Sequence, residues 1–283
     1  MFTLNCNGRL LFADKPLVMG VINTTPDSFY EGSRRETVNA ILQQAESMLK
    51  LGADILDIGG QSTRPGSQPV NEKEELQRVI GGITAVHDHF PDAIISIDTW
   101  YSKVAKDAVA AGAGIVNDIS AGSLDKEMLK TVASLNVPYV LMHMQKTPQT
   151  MQQSPTYSNV TTEVLDFFIQ KMEQLKKTGI RDIIIDPGFG FGKTIAHNFE
   201  LLRNLSVFKI TGLPLLTGLS RKSTISKTLN STTQESLNGT TVMNTIALLN
   251  GADIIRVHDV KEAKEVVTLV EAYRQTSHAD ISY

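Results

Sequence analysis

Polar residues able to bind a heterocycle or an anion recur in this sequence at one kind of place, the end of a short β-branched run. Asn23 follows Leu17 to Ile22, Asp57 ends the run around Ile55 to Ile58, and Asp98 follows Ile94 to Ile97. Asn117 follows Ile115 and Val116, His143 follows Tyr139 to Met142, and Asp186 follows Ile183 to Ile185. The run at Leu215 and Leu216 continues to Ser220, Arg221 and Lys222, and the run Ile254 to Val257 supplies Arg256 and His258. Carboxylates and amides are the partners that a heterocycle with several N–H donors requires. Arg64, Lys222, Arg256 and His258 suit an anion instead. A single polar strand end needs no function, because capping or solvation accounts for it. A whole ring of such groups is costly unless it is solvated or holds a ligand.

The elements that would position these residues follow from the same pattern. Eight apolar runs alternate with longer segments whose apolar residues have helical spacing, such as Val38, Ile41, Leu42, Ala45 and Leu49, or Val164, Phe168, Met172 and Leu175. Gly52, Gly112, Gly179 and Gly251 punctuate the passages from helix to strand, where a left-handed cap favours glycine. Eight strand–helix units predict an α/β fold, a (β/α)8 TIM barrel, with an open doubly wound sheet as the alternative. The 283 residues are read as a single domain, residues 1–283, with residues 1–16 as a short lead-in able to form a hairpin over the barrel floor.

In such a barrel the C-terminal strand ends share one mouth. Two segments rich in Gly, Pro, Ser and Thr, Thr24 to Arg35 and Gly59 to Pro69, could close over it. The polar stretch Lys146 to Asn159 predicts a long loop after the fifth strand. The run GLSRKS leads into a helix, where backbone N–H groups with Lys222 and Ser223 would attract an anion.

Composition narrows the function classes. With 41% hydrophobic and 20% charged residues and a net charge of −3, the chain has an ordinary globular balance and no overall field for nucleic acid or an anionic membrane. Asn5, Asn7, Arg9 and Asp14 interrupt the first residues, so no secretory signal is expected and the reading is a cytoplasmic protein. The one cysteine, Cys6, cannot form an intramolecular disulfide.

Eight blocks carry a resemblance: VINTTPDSF (21–29), DIGGQSTRPG (57–66), SIDT (96–99), NDIS (117–120), HM (143–144) with TPQTMQ (147–152), DPGFGFGK (186–193), GLSRK (218–222) and RVHDV (256–260). In order and position the sequence from Leu17 to Val260 resembles the dihydropteroate synthase family. The resemblance implies an alkyl-transferring enzyme of folate biosynthesis that joins 6-hydroxymethyl-7,8-dihydropterin pyrophosphate to 4-aminobenzoate. It implies that Asp98, Asn117, Met142, Asp186 and Lys222 bind the pterin, and that Asn23, Arg64, Arg256 and His258 bind the pyrophosphate. Thr63, Arg64, Pro65, Phe191 and Ser223 would face 4-aminobenzoate. Asp98, Asp186, Lys222, Arg256 and Arg64 would be the catalytic set, with Asn23 a ligand of Mg2+. A homodimer is implied as well.

The sequence departs from the family pattern at Thr24, Lys146, Gln61, where Glu is common, and Glu31, which stands where an Asp-Gly-Gly run is usual. Two other readings keep the pterin pocket: a methyltetrahydrofolate-binding corrinoid methyltransferase and a non-catalytic pterin-binding subunit. The STRPG segment and the SRK helix start would have no evident task in the methyltransferase.

Overall fold

A computed structural model describes residues 1–24, 34–61 and 70–275, with the backbone alone at residues 34–36. The chain begins with an antiparallel hairpin, β1 (Phe2–Cys6) and β2 (Arg9–Ala13). Asn7 and Gly8 take φ values of 54° and 86° at its turn, the pair of positive angles for which Asn-Gly is best suited. The barrel follows in the order β3 (Leu17–Asn23), α1 (Arg34–Lys50), β4 (Ile55–Gly59), α2 (Glu72–His89), β5 (Ile94–Asp98), α3 (Ser102–Ala110), β6 (Ile115–Asp118) and α4 (Met128–Leu135). It continues through β7 (Tyr139–Met142), α5 (Val160–Thr178), β8 (Ile183–Asp186), α6 (Ile195–Arg203), β9 (Leu216–Thr217), α7 (Ser223–Leu229), α8 (Leu237–Leu249), β10 (Ile254–Val257) and α9 (Val260–Gln275).

The eight strands β3 to β10 are parallel, in the spatial order β8-β7-β6-β5-β4-β3-β10-β9. A parallel bridge between Ile185 and Leu215 joins β8 to the start of β9 and completes the circle. The expected barrel is therefore the fold, and the open sheet is not. The seventh run is displaced by one residue: the strand is Leu216–Thr217. The long fifth loop is present and ends at Asn159, whose side chain accepts from the Thr162 N–H at 2.9 Å and caps α5.

Alternation along the strands decides what faces inward. Met19, Ile55, Ile94, Ile115, Val140, Ile184, Leu216 and Ile254, one from each strand, form an interior layer together with Leu4, Cys6 and Ala13 of the hairpin. Cys6 is thus part of the barrel floor, and burial pushes its thiol pKa up to about 12. The residues between, such as Leu56, Ile95, Val116, Leu141, Ile185 and Ile255, join the helices in the outer core. Two positions above the floor the inward residues are Asp57, Ser96, Asn117, Met142, Asp186 and Arg256. An aliphatic layer worth about 1.5–3 kcal/mol per side chain thus supports a polar one.

Candidate active site

Arg256 sits at the centre of that polar layer. Its Nε donates to Asp57 Oδ2 at 2.6 Å and its Nη2 to Asp98 Oδ2 at 2.7 Å. Asn117 Nδ2 donates to the same Asp57 oxygen at 3.0 Å. Asp57 is fully buried, and its Oδ1 has no hydrogen-bond partner among the described residues. A buried carboxylate of this kind is tolerable only beside a cation. Burial opposes the charge on Arg256, but Asp57 and Asp98 outweigh it and hold the guanidinium above the usual arginine range. Burial raises Asp98 above the ordinary aspartate range against the pull of Arg256, and the charge of Asp57 adds to the rise.

Asp186 ends β8 beside Met142 in the strand register, and its Oδ1 accepts from the Gly188 N–H at 2.8 Å. Burial raises its pKa, while Lys222 acts against the rise. Lys222, the residue before α7, donates from Nζ to the Phe189 carbonyl and lies 4.8 Å from the centroid of the Phe191 ring. Burial lowers its pKa to about 8 against the attraction of Asp186. Trp100, Ile119 and Met142 form a small apolar cluster with Tyr101, Met144 and Phe191 packed on it. A charged, hydrogen-bonding edge next to an apolar wall suits a flat polar heterocycle.

The remaining expected residues fall into three groups. Asn23 ends β3, His258 is exposed just beyond β10 with Nδ1 3.1 Å from Ser220 Oγ, and exposed Ser223 opens α7. Thr63, Arg64, Pro65 and Glu31 lie outside the described residues. Two members of the polar ring have other employment. Arg221 makes a two-pronged contact with Asp259, at 2.9 and 2.8 Å, and donates to the carbonyls of Thr233 and Gln234. His143 is buried with its ring 4.9 Å from that of Phe167 and its Nδ1 on Lys193. Asp118 faces outward, where Tyr139 Oη donates to it at 2.7 Å.

Sequence reasoning missed Asp57 as the anchor of Arg256. Its inward direction was legible, since Asp57 stands two residues beyond the floor residue Ile55, as Asp186 stands two beyond Ile184, but its pairing with Arg256 was not. It also missed the task of Gln61. That amide donates to the Val70 carbonyl at 2.7 Å and to Glu75 Oε2 at 2.6 Å, and its Oε1 accepts from the Val70 N–H at 2.9 Å. The two ends of the 62–69 segment are thereby tied together over a fully buried carboxylate.

Burial raises Glu75 from 4.5 to about 7, with the hydrogen bond from Gln61 acting against the rise. Below pH 4.5 both folded and unfolded chains are protonated at this residue. Between pH 4.5 and about 7 only the unfolded chain has ionised, so stability falls as pH rises through that window. Glu75→Gln keeps an acceptor for Gln61 and removes the titration. Its melting temperature relative to wild type is therefore expected to climb between pH 5 and pH 8. An offset that does not change with pH would contradict the assignment.

Comparison with known proteins identifies the family. The pterin-binding enzyme family matches residues 19–258. The dihydropteroate synthase of Escherichia coli strain K12 is 43% identical over 271 residues, covering 95% of both chains. The structure of Yersinia pestis dihydropteroate synthase with a sulfonamide drug superposes with a TM-score of 0.91 at 42% identity, covering 98% of this chain and 100% of that one. The Xanthomonas albilineans dihydropteroate synthase in complex with 7,8-dihydropteroate gives a TM-score of 0.88 at 37% identity, again covering 98% and 100%. With its strand-end residues gathered in one mouth and relatives of this similarity along nearly its whole length, the chain belongs to the dihydropteroate synthase family of pterin-binding enzymes.

Proposed function

We propose that the chain condenses 6-hydroxymethyl-7,8-dihydropterin pyrophosphate with 4-aminobenzoate, giving 7,8-dihydropteroate and pyrophosphate for folate biosynthesis. The observation that carries this reading is the meeting of Asp98, Asn117, Asp186 and Lys222 with Arg256 in one barrel mouth. Asp186, Asp98 and Asn117 pair with the donor-rich edge of the pterin, Lys222 serves its acceptors, and Met142 packs on its face. Arg256 has given two of its N–H donors to Asp57 and Asp98, which leaves three for the leaving diphosphate. His258 and Asn23, at neighbouring strand ends, complete that side together with Arg64.

The reaction replaces one bond with another at the exocyclic methylene. The C–O bond breaks and its electron pair departs with the diphosphate. The aniline nitrogen then forms the C–N bond and releases its proton to solvent. Cationic groups at the diphosphate stabilise the departing charge, and the carboxylates stabilise the positive methylene. Phe191 borders the aromatic ring of 4-aminobenzoate, a substrate to which the resemblance also assigns Thr63 and Pro65, and Ser223 at the start of α7 receives its carboxylate.

A magnesium ion fits this arrangement through Asn23. Among the described residues no group of three acidic or cysteine or histidine side chains could hold a metal by itself. Magnesium usually keeps several waters and is held largely by substrate phosphates with few protein oxygens, a set to which the Asn23 amide oxygen would contribute one. When bound, the ion would neutralise charge on the diphosphate. A homodimer is supported by Phe199 on α6 and by Val242, Ile246 and Leu249 along one stripe of α8, all apolar and exposed.

The assay that tests this reading supplies both substrates and follows product. 7,8-Dihydropteroate is expected with Mg2+ and to fall away when the metal is chelated; absence of product under both conditions would end the synthase reading.

A further inference from the structure

Lys193 is a lysine with 3% exposure and no carboxylate bonded to it among the described residues. Its Nζ instead meets the Gly188 carbonyl at 2.9 Å, the Phe191 carbonyl at 3.0 Å, His143 Nδ1 at 3.0 Å and the His143 carbonyl at 3.3 Å. Burial of an ammonium without a counter-ion costs several kcal/mol; an apolar side chain would fill the space at lower cost. Of the acceptors it gathers, two belong to His143 just beyond β7 and the other two lie in the turn between β8 and α6, residues 187–192. Gly188, Gly190 and Gly192 take φ values of 70°, 84° and 64° there. A Cβ on Gly188 would lie 2.0 Å from the His143 carbonyl oxygen, so the two strand ends touch through backbone.

That turn bears on both substrates under the reading above, on which this inference rests. It begins at Asp186, it carries Phe191, and its Phe189 carbonyl receives Lys222. We propose that Lys193 is a positioning residue for the reaction: it draws the carbonyls of the 187–192 turn onto the end of β7 and so sets Asp186, Phe191 and Lys222 in their binding geometry. The partners that surround it are consistent with an ammonium donor. Burial, with Lys193 beside it, lowers His143 to about 2, so its ring is neutral and Nδ1 accepts. Burial lowers Lys193 itself to about 7; Asp186 sustains its charge, while the nearby Lys222 opposes it.

The test compares two ligands that this idea separates. Lys193→Met keeps the length of the side chain and removes its donors. Calorimetry with a pterin lacking the diphosphate is expected to show about tenfold weaker binding than wild type. Inorganic pyrophosphate, whose described partners Asn23, Arg256 and His258 lie at the ends of β3 and β10, is expected to bind within about twofold of wild type, less than the ~0.6 kcal/mol of thermal energy. Equal losses for both ligands would mean general loosening and would overturn the proposal, as would unchanged pterin affinity. Should Lys193→Met fail to fold, His143→Phe keeps the ring packing and removes one acceptor. It is expected to weaken pterin in the same direction by a smaller factor, and unaltered pterin affinity there would also overturn it. Failure of the synthase reading would show in the wild type, which would then form no 7,8-dihydropteroate from the two substrates, whereas failure of this inference shows only in the variants.

Discussion

Arg256→Ala is expected to lower kcat by about 10²- to 10³-fold, the usual effect of removing a group that stabilises charge formed in the transition state. Pterin affinity is expected to change much less, because the guanidinium serves the leaving group. The geometry adds a complication and a way round it. Without Arg256, fully buried Asp57 and neighbouring Asp98 lose the cation at 2.6 and 2.7 Å. Breaking a buried pair in this way costs about 3–5 kcal/mol of stability. The double variant Asp57→Asn with Arg256→Ala relieves the stranded charge, so it should regain much of the melting temperature and none of the turnover. A single variant with wild-type kcat would remove Arg256 from the leaving-group site. A double variant that recovers turnover would show that the loss came from instability.

Asp186→Asn is expected to weaken pterin binding by about 10²-fold while leaving the fold nearly intact. The amide oxygen of asparagine can still accept from Gly188 N–H, as Asp186 Oδ1 does at 2.8 Å. It cannot offer two acceptors to adjacent N–H donors of the heterocycle, and hydrogen bonds to charged groups are worth about 1.5–3 kcal/mol each. Lys222 also loses the carboxylate that sustains its charge, so its pKa is expected to fall below about 8. Calorimetric titration with pterin checks the first effect. Affinity within twofold of wild type would place the heterocycle elsewhere.

The barrel was legible because its signals are local and repeated. Short β-branched runs such as Ile254 to Val257 and caps such as Gly179, φ 92°, are written in single short segments. Most of the mouth was legible for the same reason, since the C-terminal strand ends of a parallel barrel open on one face. What resisted reading were pairings between distant segments. Asp57 and Arg256 are 199 residues apart, and no local pattern reveals that one neutralises the other.

Polar type alone also misled where a partner decides the role. His143 ends a strand as the binding residues do, yet it turns to Lys193 and Phe167. Arg221 lies in the SRK run, yet Asp259 and two carbonyls consume its donors. Gln61 looked like a minor departure, and its meaning emerges only from the buried Glu75 opposite it.

The most direct measurement is a crystal structure of the protein soaked with a pterin and pyrophosphate together. The pterin is expected against Asp98, Asn117 and Asp186 with Met142 on its face, and the diphosphate against Arg256 on the same side of the barrel. Ligand density for the two on separate surfaces, or a diphosphate held without Arg256, would contradict the claim that one mouth grips the ring and draws off the leaving group.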